Sequence, residues 1–236
     1  MELPYNNKCT DCELHKRVKN VCIPGRGNLF SEVLVVGEAP REDEDEGNDS
    51  FIGWDGEVLD YGLSLCGIDA RIECGVIKCR PPLNRNPSAV EIKACHHYLD
   101  SIIILMPNLK VILALGNIAL KFFTGKQKIT KNTGNPMPYR TPDGRDIKIM
   151  PLFHPVYLLR NSQLADKFEN TIKTIPTLLS GIDSSFVRLV DGEESVKVIE
   201  HNAGLTKPVV AFDLETTGLD PFRGSVLMVS FYTGRR

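Results

Sequence analysis

The sequence predicts an α/β protein, a three-layer sandwich with a mainly parallel central sheet. Two observations carry this. Short, largely β-branched runs such as Val33–Val36 and Lys110–Leu115 have the unbroken apolar character of strands buried on both faces. Segments with helical spacing separate them, so strand and helix alternate along the chain. At 236 residues, with 42% apolar and 25% charged residues, the chain can build a sizeable core and one to two domains. A formal net charge of −2 excludes a global basic field, so any nucleic-acid surface must be a local patch. No apolar run reaches the roughly 18 residues of a membrane span, and no basic-then-apolar leader opens the chain. These features predict a cytoplasmic protein with no membrane partner.

In chain order, Cys9-Thr10-Asp11-Cys12 comes first, with Cys22 nearby. A Cys-x-x-Cys pair suits zinc, an iron–sulfur cluster or a redox dithiol. Seven cysteines in a reducing compartment do not form a disulfide framework. The strand Val33–Val36 ends at Gly37, and Glu38-Ala39-Pro40 turns at its carboxyl end, where open α/β sheets place ligands. Glu38 is there either a water-positioning acid or a solvated loop acid. Gly56–Cys66 reads as a helix whose core side carries Val58, Leu59, Leu63 and Leu65. The apolar run from Gly75 ends at Cys79, read as the point where a strand leaves the sheet, before Arg80-Pro81-Pro82. Ser88-Ala-Val-Glu91 is a capping box that opens a helix bearing Cys95. Cys66 and Cys74 have apolar surroundings and read as core residues.

Lys110–Leu115 predicts a further strand and Asn117–Thr124 its following helix. Thr141-Pro-Asp-Gly144 predicts a hairpin turn between two short strands within Tyr139–Leu152. His154-Pro155-Val156-Tyr157-Leu158-Leu159-Arg160-Asn161 follows, and a helix over about Gln163–Leu179 closes a first domain of residues 1–180. Residues 181–185 are small and polar, a linker. Residues 186–236 then offer a strand (Phe186–Val190), a helix (Glu193–Asn202), a strand (Pro208–Asp213) and a strand (Val226–Tyr232). About fifty residues are too few to bury a core of this type, so this segment reads as the start of something larger.

Residues 1 to about 175 resemble the family 4 uracil-DNA glycosylases, the iron–sulfur class of their superfamily. The resemblance rests on Cys9-x-x-Cys12, Gly37-Glu38-Ala39-Pro40, Glu44-Asp45, Phe51-Ile52-Gly53, Lys78-Cys79-Arg80-Pro81-Pro82 with Asn84-Arg85-x-Pro87, Cys95, and the His154–Asn161 run. It implies a uracil-DNA glycosylase-like sandwich acting on uracil-containing or single-stranded DNA, likewise monomeric. It also implies that Cys9, Cys12, Cys79 and Cys95 ligate a [4Fe–4S] cluster, with zinc the alternative. A flipped uracil would stack on Phe51 within a base site formed by Gly37, Ala39 and Gly75. His154 would donate to the departing base and Glu38 would orient the attacking water. Lys78, Arg85 and Arg160 would contact DNA phosphates.

Four positions depart from the family pattern. Gly75 stands where the family carries the asparagine that reads uracil, a loss on the order of several kcal/mol of discrimination. Arg41 replaces a glycine, and Ser50 and Val156 replace a proline and a small residue. An alternative reading follows, a DNA-binding accessory domain of a polymerase without catalysis. Further on, Asp213-Leu-Glu215-Thr-Thr-Gly-Leu-Asp-Pro resembles the first motif of the DnaQ-like 3′–5′ exonucleases found ahead of family A DNA polymerases. That resemblance implies an incomplete ribonuclease H-like segment. Asp213 and Glu215 would share Mg²⁺ only in a complete exonuclease domain. The remainder of a DNA polymerase chain, from a phage and so in its bacterial host's cytoplasm, is the expected continuation.

Overall fold

The computed structural model describes residues 3–180, 209–216 and 226–234, and the chain divides into two compact units, Met1–Ile182 and Asp183–Arg236. The first unit is built on six strands: β1 (Arg26–Gly27), β2 (Val33–Gly37), β3 (Ile72–Gly75), β4 (Val111–Leu115), β5 (Met137–Arg140) and β6 (Asp146–Leu152). They form one sheet in the order β1-β3-β2-β4-β6-β5. The pairs β3–β2, β2–β4 and β4–β6 are parallel, and the two outer pairs are antiparallel. The sheet is therefore mainly parallel, as the apolar runs predict.

Alternation along the central strands explains the three layers. Val33 and Val35 of β2 and Val111, Leu113 and Leu115 of β4 pack into one core. Leu34, Val36, Ile112 and Ala114 pack into the other. The period of two sends neighbours to opposite faces, and both faces need a cover. One cover contains α2 (Trp54–Ser64) and α7 (Ala165–Lys173), through Leu59, Leu63, Phe168 and Ile172. The other contains α3 (Ala89–Leu105), through Leu99, Ile102 and Ile103. Each fully buried aliphatic side chain contributes about 2 kcal/mol. The remaining helices are α1 (Glu42–Gly47), α4 (Gly116–Thr124), α5 (Ile129–Asn132), α6 (Pro155–Arg160) and α8 (Ile175–Leu179).

Several local expectations hold. Ser88 caps α3: its side chain accepts from Glu91 N, and Glu91 accepts from Ser88 N in return. Thr141–Gly144 turns the β5–β6 hairpin, with Gly144 at φ +89°. Three details differ. The strand before Cys79 ends at Gly75, and Val76–Cys79 is a buried turn whose amides bond to the loop after β2: Val76 N to Gly37 O and Ile77 N to Glu38 O. The expected helix over Gln163–Leu179 is broken into a 3₁₀ turn, α7 and α8. Pro176 has no N–H for the carbonyl of Ile172, so α7 cannot run on through it. The acid-rich stretch after Pro40 is a helix, α1, where a loop was expected.

In the second unit, β7 (Val209–Thr216) pairs antiparallel with β8 (Val226–Gly234), setting Asp213 opposite Ser230 and Glu215 opposite Met228. The expected linker 181–185, strand Phe186–Val190 and helix Glu193–Asn202 lie outside the described residues.

Candidate active site

Beyond the carboxyl ends of the central strands lies a cavity of about 240 Å³. The turn after β2 supplies one wall through Glu38, Ala39, Pro40 and Arg41. Gly116 and His154 stand between β4 and α6, Val156, Tyr157 and Arg160 come from α6, and Pro81 with Asn84–Asn86 closes the other side. Of the sequence-predicted residues, the fold thus gathers Glu38, Ala39, His154, Arg85 and Arg160 around one space.

His154 precedes Pro155, the first residue of α6, and caps that helix: its Nδ1 accepts from Val156 N at 3.4 Å. With Nδ1 accepting, the proton of the neutral ring belongs on Nε2. Burial lowers the His154 pKa to about 4; Asp55 counters that shift and Arg41 adds to it. The ring is therefore a neutral donor near pH 7. Glu38 is half-buried, and burial raises its carboxyl above the usual range while Arg41 pulls it back. Arg41, the bulky replacement for a family glycine, thus acts electrostatically on both groups.

Phe51 is buried and does not line the cavity directly. Its ring stacks near His154, with centroids 6.3 Å apart and planes 18° from parallel. A Cβ on Gly37 would fall 2.9 Å from Phe51 Cζ and 3.8 Å from His154 Nε2, so the glycine makes room for both rings. Phe51 has a left-handed φ of +56°, unfavourable for a bulky residue. The buried carboxylate of Glu44 holds it there, accepting from Phe51 N at 2.6 Å and from Arg41 N at 2.7 Å. Sequence reading gave Glu44 no role, since its partners lie three and seven residues away with no local pattern between them. Asp55, buried in the first turn of α2 and acting on His154, was likewise missed.

Gly75 sits behind Ala39. A Cβ there would meet Ile77 O at 2.6 Å and Ala39 Cα at 3.2 Å. The position is closed to any side chain unless the Val76–Cys79 turn moves. Among the expected phosphate contacts, Arg160 is exposed at the cavity. Arg85 reaches the rim, but its guanidinium is held bidentately by Glu91, at 2.9 and 2.6 Å. Lys78 is a correction. It is 1% exposed and buried beside the cysteines, out of reach of a phosphate.

Those cysteines form a second cluster. Cys9, Cys12, Cys79 and Cys95 line one small cavity together with Cys22, Leu14, Ile77 and Tyr98. The fifth thiol, Cys22, is buried with φ +55° and was noted in the sequence without a role. Backbone amides point at the sulfurs: Cys22 N donates to Cys79 Sγ at 3.3 Å and Lys78 N to Cys95 Sγ at 3.2 Å. Burial pushes the thiols of Cys79 and Cys95 up to about 12. The Lys78 ammonium has no well-formed hydrogen-bond partner, and its charge pulls the thiols of Cys74, Cys95 and Cys22 back down. Among the described residues no three Cys, His, Asp or Glu side chains converge tightly enough for a single metal ion. Cys66 is half-buried and Cys74 fully buried, both outside this cavity. Asp213 and Glu215 lie on β7 in the other unit.

Residues 24–178 match the uracil DNA glycosylase superfamily. A type-4 uracil-DNA glycosylase of Thermotoga maritima is 45% identical over 159 residues, covering 65% of this chain and 79% of that protein. Another, from Archaeoglobus fulgidus, is 34% identical over 178 residues, covering 72% and 87%. A DNA polymerase of Bacillus phage SP01 is 29% identical over 220 residues, 86% of this chain but 23% of the polymerase.

The two bonds from Glu44 make the Phe51 loop depend on one carboxylate. Glu44→Ala is expected to destabilise the first unit by about 2 kcal/mol in urea denaturation, the scale of lost hydrogen bonds to a charged group. It should also raise acrylamide quenching of Trp54, the only tryptophan in the sequence and three residues past Phe51. Unchanged quenching would show that the loop keeps its shape without Glu44.

Proposed function

This chain belongs to the uracil-DNA glycosylase superfamily, and we propose that its first unit hydrolyses the N-glycosidic bond of a uracil flipped out of DNA. The observation that carries this is the neutral Nε2 donor of His154 set across one cavity from the carboxyl of Glu38. As the bond breaks, negative charge develops on the base and positive charge on the sugar. A neutral donor beside the base stabilises that charge more in the transition state than in the ground state. Glu38, ionised, accepts a hydrogen bond from the attacking water and holds it toward the sugar carbon. Arg160 at the rim supplies a salt-dependent, sequence-independent attraction for phosphate.

The donor set also fits a [4Fe–4S] cluster held by Cys9, Cys12, Cys79 and Cys95. Thiolates suit iron, backbone amides already face two of the sulfurs, and raised thiol pKa values mean that binding must displace protons. The buried, unpartnered Lys78 ammonium speaks for the cluster most directly. An isolated buried cation is costly, and a thiolate-ligated cluster carries the net negative charge to offset it. A single zinc would need its sulfurs converged about 2.3 Å from one point, and no such group occurs among the described residues. When bound, the cluster ties the N-terminal segment to the β3 turn and α3.

Gly75 favours a second reading, a DNA-binding module that no longer excises uracil. The reader amide is absent, and the backbone around Gly75 has closed over its place. For the second unit, we infer the opening of a 3′–5′ exonuclease joined to a DNA polymerase. Its support is the Asp213–Glu215 motif together with the similarity to the phage SP01 polymerase. Asp213 and Glu215 would be its first Mg²⁺ ligands.

Oligonucleotides with a single uracil, incubated with the protein and then treated with alkali, decide between the two readings of the first unit. Strand cleavage is expected, reduced about 10²–10³-fold in His154→Ala, the usual loss for one transition-state donor. No cleavage at high enzyme excess would leave the binding-module reading. The pH dependence carries its own sign. Excision needs Glu38 ionised, so the rate falls as pH drops through a pKa held above the ordinary carboxylate value. Arg41 opposes that elevation, so Arg41→Gln should move the acid limb of the single-turnover rate to higher pH; an unmoved limb would remove Glu38 from the mechanism. For the cluster, anaerobically purified protein is expected to be brown, with about four irons and matching sulfide per chain. Cys66→Ser should keep the colour and Cys95→Ser lose it. Colourless protein with one zinc would overturn the assignment.

A further inference from the structure

One apolar side chain beside the cavity is used by no core. Leu83 is 95% exposed, the highest value among the exposed large apolar residues. It sits at the centre of the 3₁₀ turn Pro82–Asn84 in a left-handed conformation, φ +56° and ψ +25°. Its chain neighbours Pro81, Asn84 and Arg85 line the cavity, so Leu83 stands on the rim, across from α6.

The turn is braced rather than loose. Asn84 N bonds to Pro81 O at 3.0 Å and Arg85 N to Pro82 O at 3.2 Å. Arg80 Nε donates to Asn84 Oδ1 at 2.8 Å, and Arg80 also pairs with Glu42 of α1 at 3.1 Å. Arg85 is clamped by Glu91. A left-handed leucine is unfavourable, and so is a fully hydrated one, yet the surrounding bonds hold Leu83 in both conditions. A rigid mount for an exposed apolar side chain beside a base-sized cavity is the arrangement of a wedge. Apolar wedges enter duplex DNA between base steps and unstack them.

We propose that Leu83 enters the base stack of double-stranded DNA next to the flipped nucleotide and keeps that nucleotide from returning. The proposal rests on the glycosylase reading for its substrate. A single strand has little stack to open, so the wedge acts on duplex substrate only. Leu159 of α6, 62% exposed, is the competing apolar projection.

The test compares wild type, Leu83→Ala, Leu83→Met and Leu159→Ala. Single-turnover uracil excision is measured on duplex and single-stranded oligonucleotides. 2-Aminopurine fluorescence next to the target base reports unstacking without any chemistry. Leu83→Ala is expected to slow duplex excision about tenfold or more, the scale of a lost unstacking contribution, with single-strand excision nearly unchanged. It should also abolish the fluorescence rise on duplex binding, and Leu83→Met should restore both. Equal effects on duplex and single strand, no effect, or a loss confined to Leu159→Ala would overturn the proposal. Should wild type excise no uracil from either substrate, the glycosylase reading fails by itself. Fluorescence then still decides: a rise lost in Leu83→Ala supports the wedge, and no rise, or an equal one, refutes it.

Discussion

The candidate site depends on a close approach of backbones at the carboxyl edge of the sheet. β2 and β3 are paired so that Gly37 lies opposite Gly75, and both strands end there. At Gly37 the absent side chain leaves the space into which Phe51 and His154 pack. At Gly75 it lets the Val76–Cys79 turn fold back against Ala39. One turn carries Glu38 and the other leads into Cys79, so the acid of the site and the cysteine cluster are set by the same pair of strand ends. A larger residue at either glycine would push these loops apart before it touched any catalytic group.

Buried charge does the remaining positioning. Glu44 joins the start of α1 to Phe51, and its neighbour Asp45 accepts from Lys19 N and Asn20 N, at 3.1 and 2.9 Å. Two adjacent acids of one short helix thereby connect the Phe51 loop to the segment leading to Cys22. A buried carboxylate is tolerated only when its lone pairs are met, and here backbone amides meet them. Lys78 is the complementary case, a buried cation whose compensating charge comes from the cysteine side. The cavity and the cysteine cluster are therefore mechanically linked through α1, though no side chain is shared between their linings.

Much of the fold and part of the site were legible in the sequence. The buried strands, the Ser88 capping box, the Thr141–Gly144 hairpin and the position of Glu38 at a strand's carboxyl end follow from local rules, because alternation, capping and turn chemistry act over a few residues. The four predicted cysteines also gathered in one cavity, as their motif implies. Contacts that join distant residues could be decided only by the tertiary structure. Lys78 sits one residue before a cysteine in a basic, proline-rich stretch, and only packing shows that it faces inward. Glu44 gains its role from a loop that returns to it, and Cys22 from a backbone bend beside Cys79. Leu83 reads as one more apolar residue until the fold leaves it without a core. The local code fixed which elements form and where their ends lie; the side chains' partners were chosen by the packing of those ends, a property that no single stretch of the chain contains.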